Sequence, residues 1–281
     1  MTSLLAAPPA APTPTAPALD ARFAALREIA ARAGAAAAAA FRSRPRGTFT
    51  LKGPQDYLTE ADAAVEALIR HEIATRFPGD AILGEEGGGA VGAVTWVIDP
   101  IDGTANFARG VAHFCVSIAV ALEGRAEMAA IVQPISGETW LARRGRGATL
   151  NGRPLAVRKG AQPEQAILEL GWSGRLATSG YLRALACLLS AGVSVRRAGS
   201  GALALAHVAD GRSDGYGEPL MHSWDCLAGL LLVSEAGGQV GPWPAGLADL
   251  AAPGRVLAAA SPAIETLLDQ ALAESADERH P

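Results

Sequence analysis

Aromatic side chains make up only 5% of this chain of 281 residues, and cysteine occurs three times, as Cys115, Cys187 and Cys226. Scattered thiols, odd in number and outside any CxxC spacing, speak against a disulfide framework and for a reduced, cytoplasmic protein. No apolar run approaches the ~20 residues that a bilayer crossing needs, so no membrane partner is expected. Strong charge of either sign is also missing. The formal net charge of −4 gives no electrostatic reason to expect nucleic acid or an anionic surface as partner. The basic stretches Arg42/Arg44/Arg46 and Arg143/Arg144/Arg146 are short and read as solvated faces. The N-terminus lacks the basic start and continuous apolar stretch of a secretory signal. It is Ala/Pro-rich, with five prolines between Pro8 and Pro17. Residues 1–19 are read as a disordered tail outside the fold, and 276–281 as a second tail.

Nearly half of the chain is apolar, ample for a sizeable core. Helical spacing of Phe23, Leu26 and Ile29 predicts a first helix from Asp20, as N-cap, to about Phe41. A turn-rich link through Gly47 to Pro54 follows. A second helix is capped by Thr59, carries Glu60 and Asp62 at its positive end, and stops at Pro78-Gly79. The texture then turns to strands: Ile82-Leu83, Thr95–Ile98, Phe114–Leu122, Met128–Val132 and Glu138–Ala142, with a tight turn at Asn151-Gly152. Beyond it, strands at 166–170, 193–198, 214–218 and 255–260 alternate with helices at 180–190, 201–210, 224–236 and 262–274. A meander followed by alternation predicts layered α/β or α+β sheets between helices. Residues 20–275 form one unit on this reading, divided near residue 150 into an N-terminal half and a C-terminal α/β half.

The chemistry lies in where the acids sit. Asp99 and Asp102 follow an apolar strand, which delivers carboxylates to the sheet's edge, where loops form sites. Pro100 fixes the backbone between them, and Gly103 permits a tight turn. A helix starting at Thr104 would aim its free amides at the same spot, amides suiting phosphate and carboxylates suiting Mg²⁺. Alone, Asp-Pro with Gly-Thr reads better as a turn with Asp as helix cap. Glu85-Glu86 at another strand end, and Asp62 and Asp225 each opening a helix, add to the pattern, although either aspartate could simply complement a helix dipole.

Together these segments identify a family. Leu58-Thr59-Glu60-Ala61-Asp62, Gly84-Glu85-Glu86, Trp96 through Asp99-Pro100-Ile101-Asp102-Gly103-Thr104-Ala105-Asn106-Phe107, and Trp224-Asp225 followed by Glu235-Ala236-Gly237-Gly238 resemble the inositol monophosphatase family in order and spacing, from about residue 20 to 275. The resemblance implies an αβαβα sandwich, a homodimer and two to three Mg²⁺ ions. It also implies metal ligation by Glu85, Asp99, Asp102, Asp225 and the carbonyl of Ile101, with Asp62 and Thr104 supporting an attacking water. Glu86 stays outside the metal's immediate ligands. Phosphate would meet the amides of Gly103 and Thr104, and Asp225 would also face the substrate.

For the substrate, the resemblance places Glu218 on a sugar or cyclitol hydroxyl and Ser200-Gly201 in a turn beside the ligand. Glu218 could equally be an exposed acid at a strand end. Gly201 stands where alanine is usual, Ala204 replaces a common aspartate, and Gly217 stands where a bulky aromatic is frequent, which predicts a roomier pocket. Trp172 could stack on a ring or pack its loop, and Arg175 could meet a second anionic group. The leading expectation is hydrolysis of inositol phosphate or another small polyol or sugar phosphate. Histidinol phosphate, fructose 1,6-bisphosphate and 3′-phosphoadenosine 5′-phosphate are alternatives. Bisphosphates rank lower, because Arg196 and Arg197 read as strand-edge residues. A different class of reading is a regulatory binding module of the transcription machinery, or a metal-binding scaffold without turnover.

Overall fold

The computed structural model describes residues 15–43, 50–53 and 56–275. The expected tail residues 1–14 and 276–281, Arg44, Arg46, and the link around Gly47 and Pro54 lie outside the described residues. Helix α1 spans Ala16–Ser43, so residues 16–19 are helical rather than tail, and Asp20 is no cap. Pro17 sits in the first turn, where no N–H partner is needed. Asp20 instead pairs with Arg143 at 2.5 Å.

The chain continues through a short hairpin, β1 (Thr50–Gly53) and β2 (Asp56–Leu58), into α2 (Glu60–Arg76). A large sheet follows, from β3 (Ala81–Gly84), β4 (Gly88–Gly89), β5 (Val94–Asp102), β6 (Cys115–Leu122), β7 (Arg125–Gln133), β8 (Glu138–Arg143), β9 (Ala148–Leu150) and β10 (Arg153–Pro154). The short helix α3 (Thr104–Arg109) leaves the end of β5. The spatial order is β10-β9-β8-β7-β6-β5-β3-β4, antiparallel except where β3 runs parallel to β5. The second half supplies β11 (Ile167–Leu170), α4 (Thr178–Ser190), β12 (Ser194–Arg196), α5 (Gly201–Ala209), β13 (Gly215–Met221), α6 (Ser223–Glu235), β14 (Gln239–Val240), α7 (Leu247–Leu250), β15 (Gly254–Ala259) and α8 (Pro262–Ser275). Its five-stranded sheet has the order β12-β11-β13-β15-β14, with the first three strands parallel.

Side-chain alternation sorts these elements into layers. One face of the large sheet carries Trp96, Ile98, Ile118, Val120 and Val132, which pack with Leu26 and Ile29 of α1 and Ile69 and Ile73 of α2. The other face is made mostly of small residues, Ala119, Ala121, Ala129 and Ala142. That leaves room for α5 and α6, which lie between the two sheets, while α4 and α8 cover the far side of the second sheet. The result is an αβαβα sandwich. Among the described residues no helix is long and apolar enough to cross a membrane.

Close approach in the central helical layer rests on Gly229 of α6, where an added Cβ would lie 2.4 Å from Leu205 Cβ of α5. Alanine gains about 1 kcal/mol of helix propensity over glycine. Overpacking against a stiff Cβ costs roughly 1–3 kcal/mol. Gly229→Ala is therefore expected to lower the urea midpoint, with an unchanged m-value, where propensity alone would raise it.

Candidate active site

All nine residues of β5 are buried, and the strand runs on through Asp102. Asp99 pairs opposite Ser117 and Asp102 opposite Cys115, so three steps on β5 face two on β6. Strict alternation would send residues 99 and 102 to opposite faces; one extra residue, a β-bulge, returns them to the same side. Pro100 has no N–H to lose inside that bulge, and Asp99 Oδ1 accepts the Ile101 N–H at 2.9 Å. The two carboxylates thus lie at the C-terminal end of β5, where the sequence reading put them, but within the strand rather than in a loop beyond it.

Asp225 arrives from the first turn of α6, where its Oδ2 accepts the His222 N–H at 3.2 Å. Carboxylate oxygens of Asp99, Asp102 and Asp225 lie within 4.8 Å of one another, the one such group of metal-type ligands among the described residues. Burial pushes the Asp99 carboxyl well above the usual range, and repulsion from Glu85, Asp102 and Asp225 adds to it. Asp225 is raised in the same way, by burial and then by Glu85 and Asp102. Asp102 is better satisfied. Its Oδ2 accepts from the Ser200 hydroxyl and from the Ala202 N–H at 2.9 Å, and its Oδ1 from the Gly201 N–H at 3.3 Å. The N-terminus of α5 therefore holds this carboxylate, as its exposed amides and dipole favour. The Cys115 thiol also approaches Asp102, at 3.7 Å.

Glu85 follows β3 and binds back to β5 through its N–H to the Ile98 carbonyl, at 3.2 Å. Its turn is fixed by a residue to which the sequence reading gave no role. Glu66 of α2, buried and paired with Arg70, accepts the N–H groups of Glu86 at 2.9 Å and Gly87 at 2.8 Å. Glu86 is half-buried and helps to raise the carboxyl of Asp62. Thr59 does cap α2, but with the roles exchanged: Asp62 Oδ2 accepts both its N–H and its hydroxyl. The other oxygen of the fully buried Asp62 lies 3.3 Å from Thr104 Oγ1, which is also 3.0 Å from the Ile101 carbonyl.

Gly103 adopts φ 92° at the start of α3, and a Cβ there would crowd the carbonyls of His113 and Gly199. Glycine alone fits this left-handed, close-packed corner. Three residues on, Asn106 donates from Nδ2 to the carbonyls of His113 at 2.8 Å and Ala198 at 2.9 Å, tying α3 to the turn that starts α5.

That turn borders a cavity of about 190 Å³ lined by Glu169, Gly171, Trp172, Arg197, Ser200, Gly201, Tyr216 and Glu218. Ser200 and Gly201 hence line the cavity and bind Asp102 at once. Glu218 accepts from the Tyr216 hydroxyl at 2.5 Å, and burial pushes its carboxyl up to about 7 against that bond and the attraction of Arg197. Gly217, between them on β13, points the other way, where a Cβ would press on Leu268 and Leu272 of α8. Its small size makes room for a helix and not for a ligand, against expectation. Ala204 is buried in α5. Arg175 lies outside the cavity lining and meets His222 Nε2 at 2.7 Å, on a ring stacked against Trp224.

The donor set is all oxygen, buried and mutually repelling. Hard cations of the Mg²⁺ type suit such a set, and thiol- or imidazole-seeking metals do not. Fold and cluster together define a layered α/β protein built around a buried acidic centre. The family model of the inositol monophosphatase family matches residues 19–279, and the chain belongs to that family. It is 44% identical over 198 residues to the Nus factor SuhB of Pseudomonas aeruginosa, covering 67% of this chain and 73% of that protein. Similarity to the inositol-1-monophosphatase of Rhizobium meliloti is 41% over 194 residues, again 67% of this chain and 73% of that one. The crystal structure of the extragenic suppressor protein suhB from Bartonella henselae superposes with a TM-score of 0.82 at 32% identity, over 90% of this chain and 98% of that one.

Raised carboxyls give the metal-free protein a defined pH response. Groups whose folded pKa exceeds the unfolded value add stability that is present below the unfolded pKa and lost as pH climbs through the raised one. In EDTA, melting is expected at a higher temperature at pH 5 than at pH 7.5. Asp99→Asn, with one charge removed, should raise the pH 7.5 value and flatten the difference. Mg²⁺ should stabilise the wild-type chain at pH 7.5 and do so much less for the variant.

Proposed function

We propose that the protein is a Mg²⁺-dependent phosphomonoesterase that hydrolyses a small polyol or sugar phosphate, with an inositol monophosphate as its leading substrate. The observation that carries this reading is the convergence of Asp99, Asp102 and Asp225 beside the start of α3. Glu85, Asp99, Asp102, Asp225 and the Ile101 carbonyl would hold two to three cations. When bound, these supply Lewis acidity toward phosphate and acidify water for attack.

The chain's own residues do the rest. Thr104 has one hydroxyl proton and two acceptors, the Asp62 carboxylate and the Ile101 carbonyl, so its lone pairs stay available to accept from, and orient, the attacking water. The amides of Gly103 and Thr104 meet the phosphate, with Asn106 holding that corner rigid. The leaving alcohol occupies the adjoining cavity, where Glu218 accepts a hydroxyl proton. Homodimerisation and a cytoplasmic location are part of the reading, supported by the family resemblance and the thiol chemistry.

A second role is supported by the name Nus factor carried by the relative from Pseudomonas aeruginosa. Participation in transcription is compatible with retained catalysis. It requires co-elution of a stoichiometric complex with purified RNA polymerase, and a chain that elutes alone would remove it.

Inositol 1-phosphate and simple polyol phosphates should release phosphate in Mg²⁺ and not in EDTA. Asp225→Asn is expected to lower kcat at least 100-fold with near-native folding by circular dichroism. Unchanged turnover in that variant would displace the site. Because Glu218 titrates at about 7, KM for a neutral polyol ester should rise as pH falls through 7, and Glu218→Gln should remove that dependence.

A further inference from the structure

Arg197 lies just past the end of β12, and the sequence reading left it as a strand-edge residue. The structure brings it into the wall of the cavity that holds Ser200, Gly201 and Glu218. Its guanidinium carbon stands 5.6 Å from the centroid of the Trp172 ring. Among the described residues no hydrogen bond or ion pair engages that guanidinium, although it attracts Glu218. A cation over an indole face is favoured there, and a guanidinium without a hydrogen-bonded partner keeps its N–H groups available for two-point contact with a carboxylate or phosphate. A second donor lies in the same wall: Trp172 Nε1 is buried and has no acceptor among the described residues. Of the other two candidate cations, Arg175 is engaged by His222 and Arg196 does not line the cavity.

A cavity meant for a neutral polyol needs acceptors and donors for hydroxyls, which Glu218, Tyr216 and Ser200 supply. An exposed cation beyond them, without a hydrogen-bonded partner among the described residues, serves no hydroxyl better than a neutral donor would. It does serve an anion, and the cavity adjoins Asp102 through Ser200 and Gly201, so such an anion would sit on the leaving group and not on the scissile phosphate.

Resting on the phosphomonoesterase reading above, we propose that Arg197, over the face of Trp172, is a specificity-determining residue that favours, between esters of matched size, the one whose leaving alcohol carries a second anionic group, a carboxylate or a further phosphate.

Two matched pairs test it: glycerol 3-phosphate against 3-phosphoglycerate, and fructose 1-phosphate against fructose 1,6-bisphosphate, all in Mg²⁺. The wild-type chain is expected to show a higher kcat/KM for the anionic member of at least one pair. Arg197→Ala should lower kcat/KM for that member at least tenfold, mainly through KM, while changing the neutral partner less than threefold. Arg197→Lys, which keeps the charge and loses the fork, should restore part of the preference. The ratio within a pair is insensitive to the fraction of folded enzyme, so a merely structural effect would leave it fixed. Equal losses for both members in Arg197→Ala, or a wild-type preference for the neutral ester in both pairs, would overturn the inference and leave the phosphatase reading standing. No phosphate release from any of the four esters, or from inositol 1-phosphate, would overturn both.

Discussion

Mutual repulsion among carboxylates gathered in one buried place is the constraint around which this protein is arranged. Asp99, Asp102 and Asp225, with Glu85 close enough to raise two of them, would scatter in an unconstrained chain. Each is held by a different structural device. A bulge turns Asp99 and Asp102 to one side of β5, the start of α5 grips Asp102, the first turn of α6 presents Asp225, and Glu66 fixes the turn that carries Glu85. These are backbone devices. They hold the acids together by covalent geometry and amide hydrogen bonds rather than by opposite charge, which leaves the cluster's own charge available to a cation.

The sandwich explains how the devices meet. The small-residue face of the large sheet admits α5 and α6 closely enough that both helices begin at the end of β5, and each brings one contribution. Asn106 then joins α3 to the Ala198 carbonyl. Two sides of one short segment, 198–201, are used at once: the Ser200 hydroxyl and the Gly201 N–H bind Asp102, while the outer face lines the cavity.

Much of this was legible in the sequence, though unevenly. The segments bearing Asp62, Glu85, Asp99, Asp102 and Asp225 stood out because charge rarely interrupts an apolar strand or opens a helix so repeatedly. Regular alternation in the second half gave its strands and helices to within a few residues, since each buries a periodic face. Two-residue strands such as β4, β10 and β14 carry too little pattern to be read. The bulge was invisible because it is a property of pairing between β5 and β6, and neither strand announces it alone. Direction also escaped: Gly217 looked like space for a ligand, yet its parity on β13 turns it toward α8. Arg197 read as a strand-edge residue because nothing in the chain signals that Trp172 and the cavity will lie beside it. The start of α1 was misplaced for a simpler reason, that prolines mark disorder in composition while a proline in a first helical turn is favourable.

The acids come from widely separated parts of the chain, Asp62 to Asp102 early and Asp225 late. During synthesis the N-terminal part of a chain emerges and folds first. The large sheet can take shape while the segment that supplies Asp225 and the α5 cradle for Asp102 is still inside the ribosome. A nascent chain therefore presents an incomplete set of carboxylates until residue 225 has emerged, and the cluster closes only with α6.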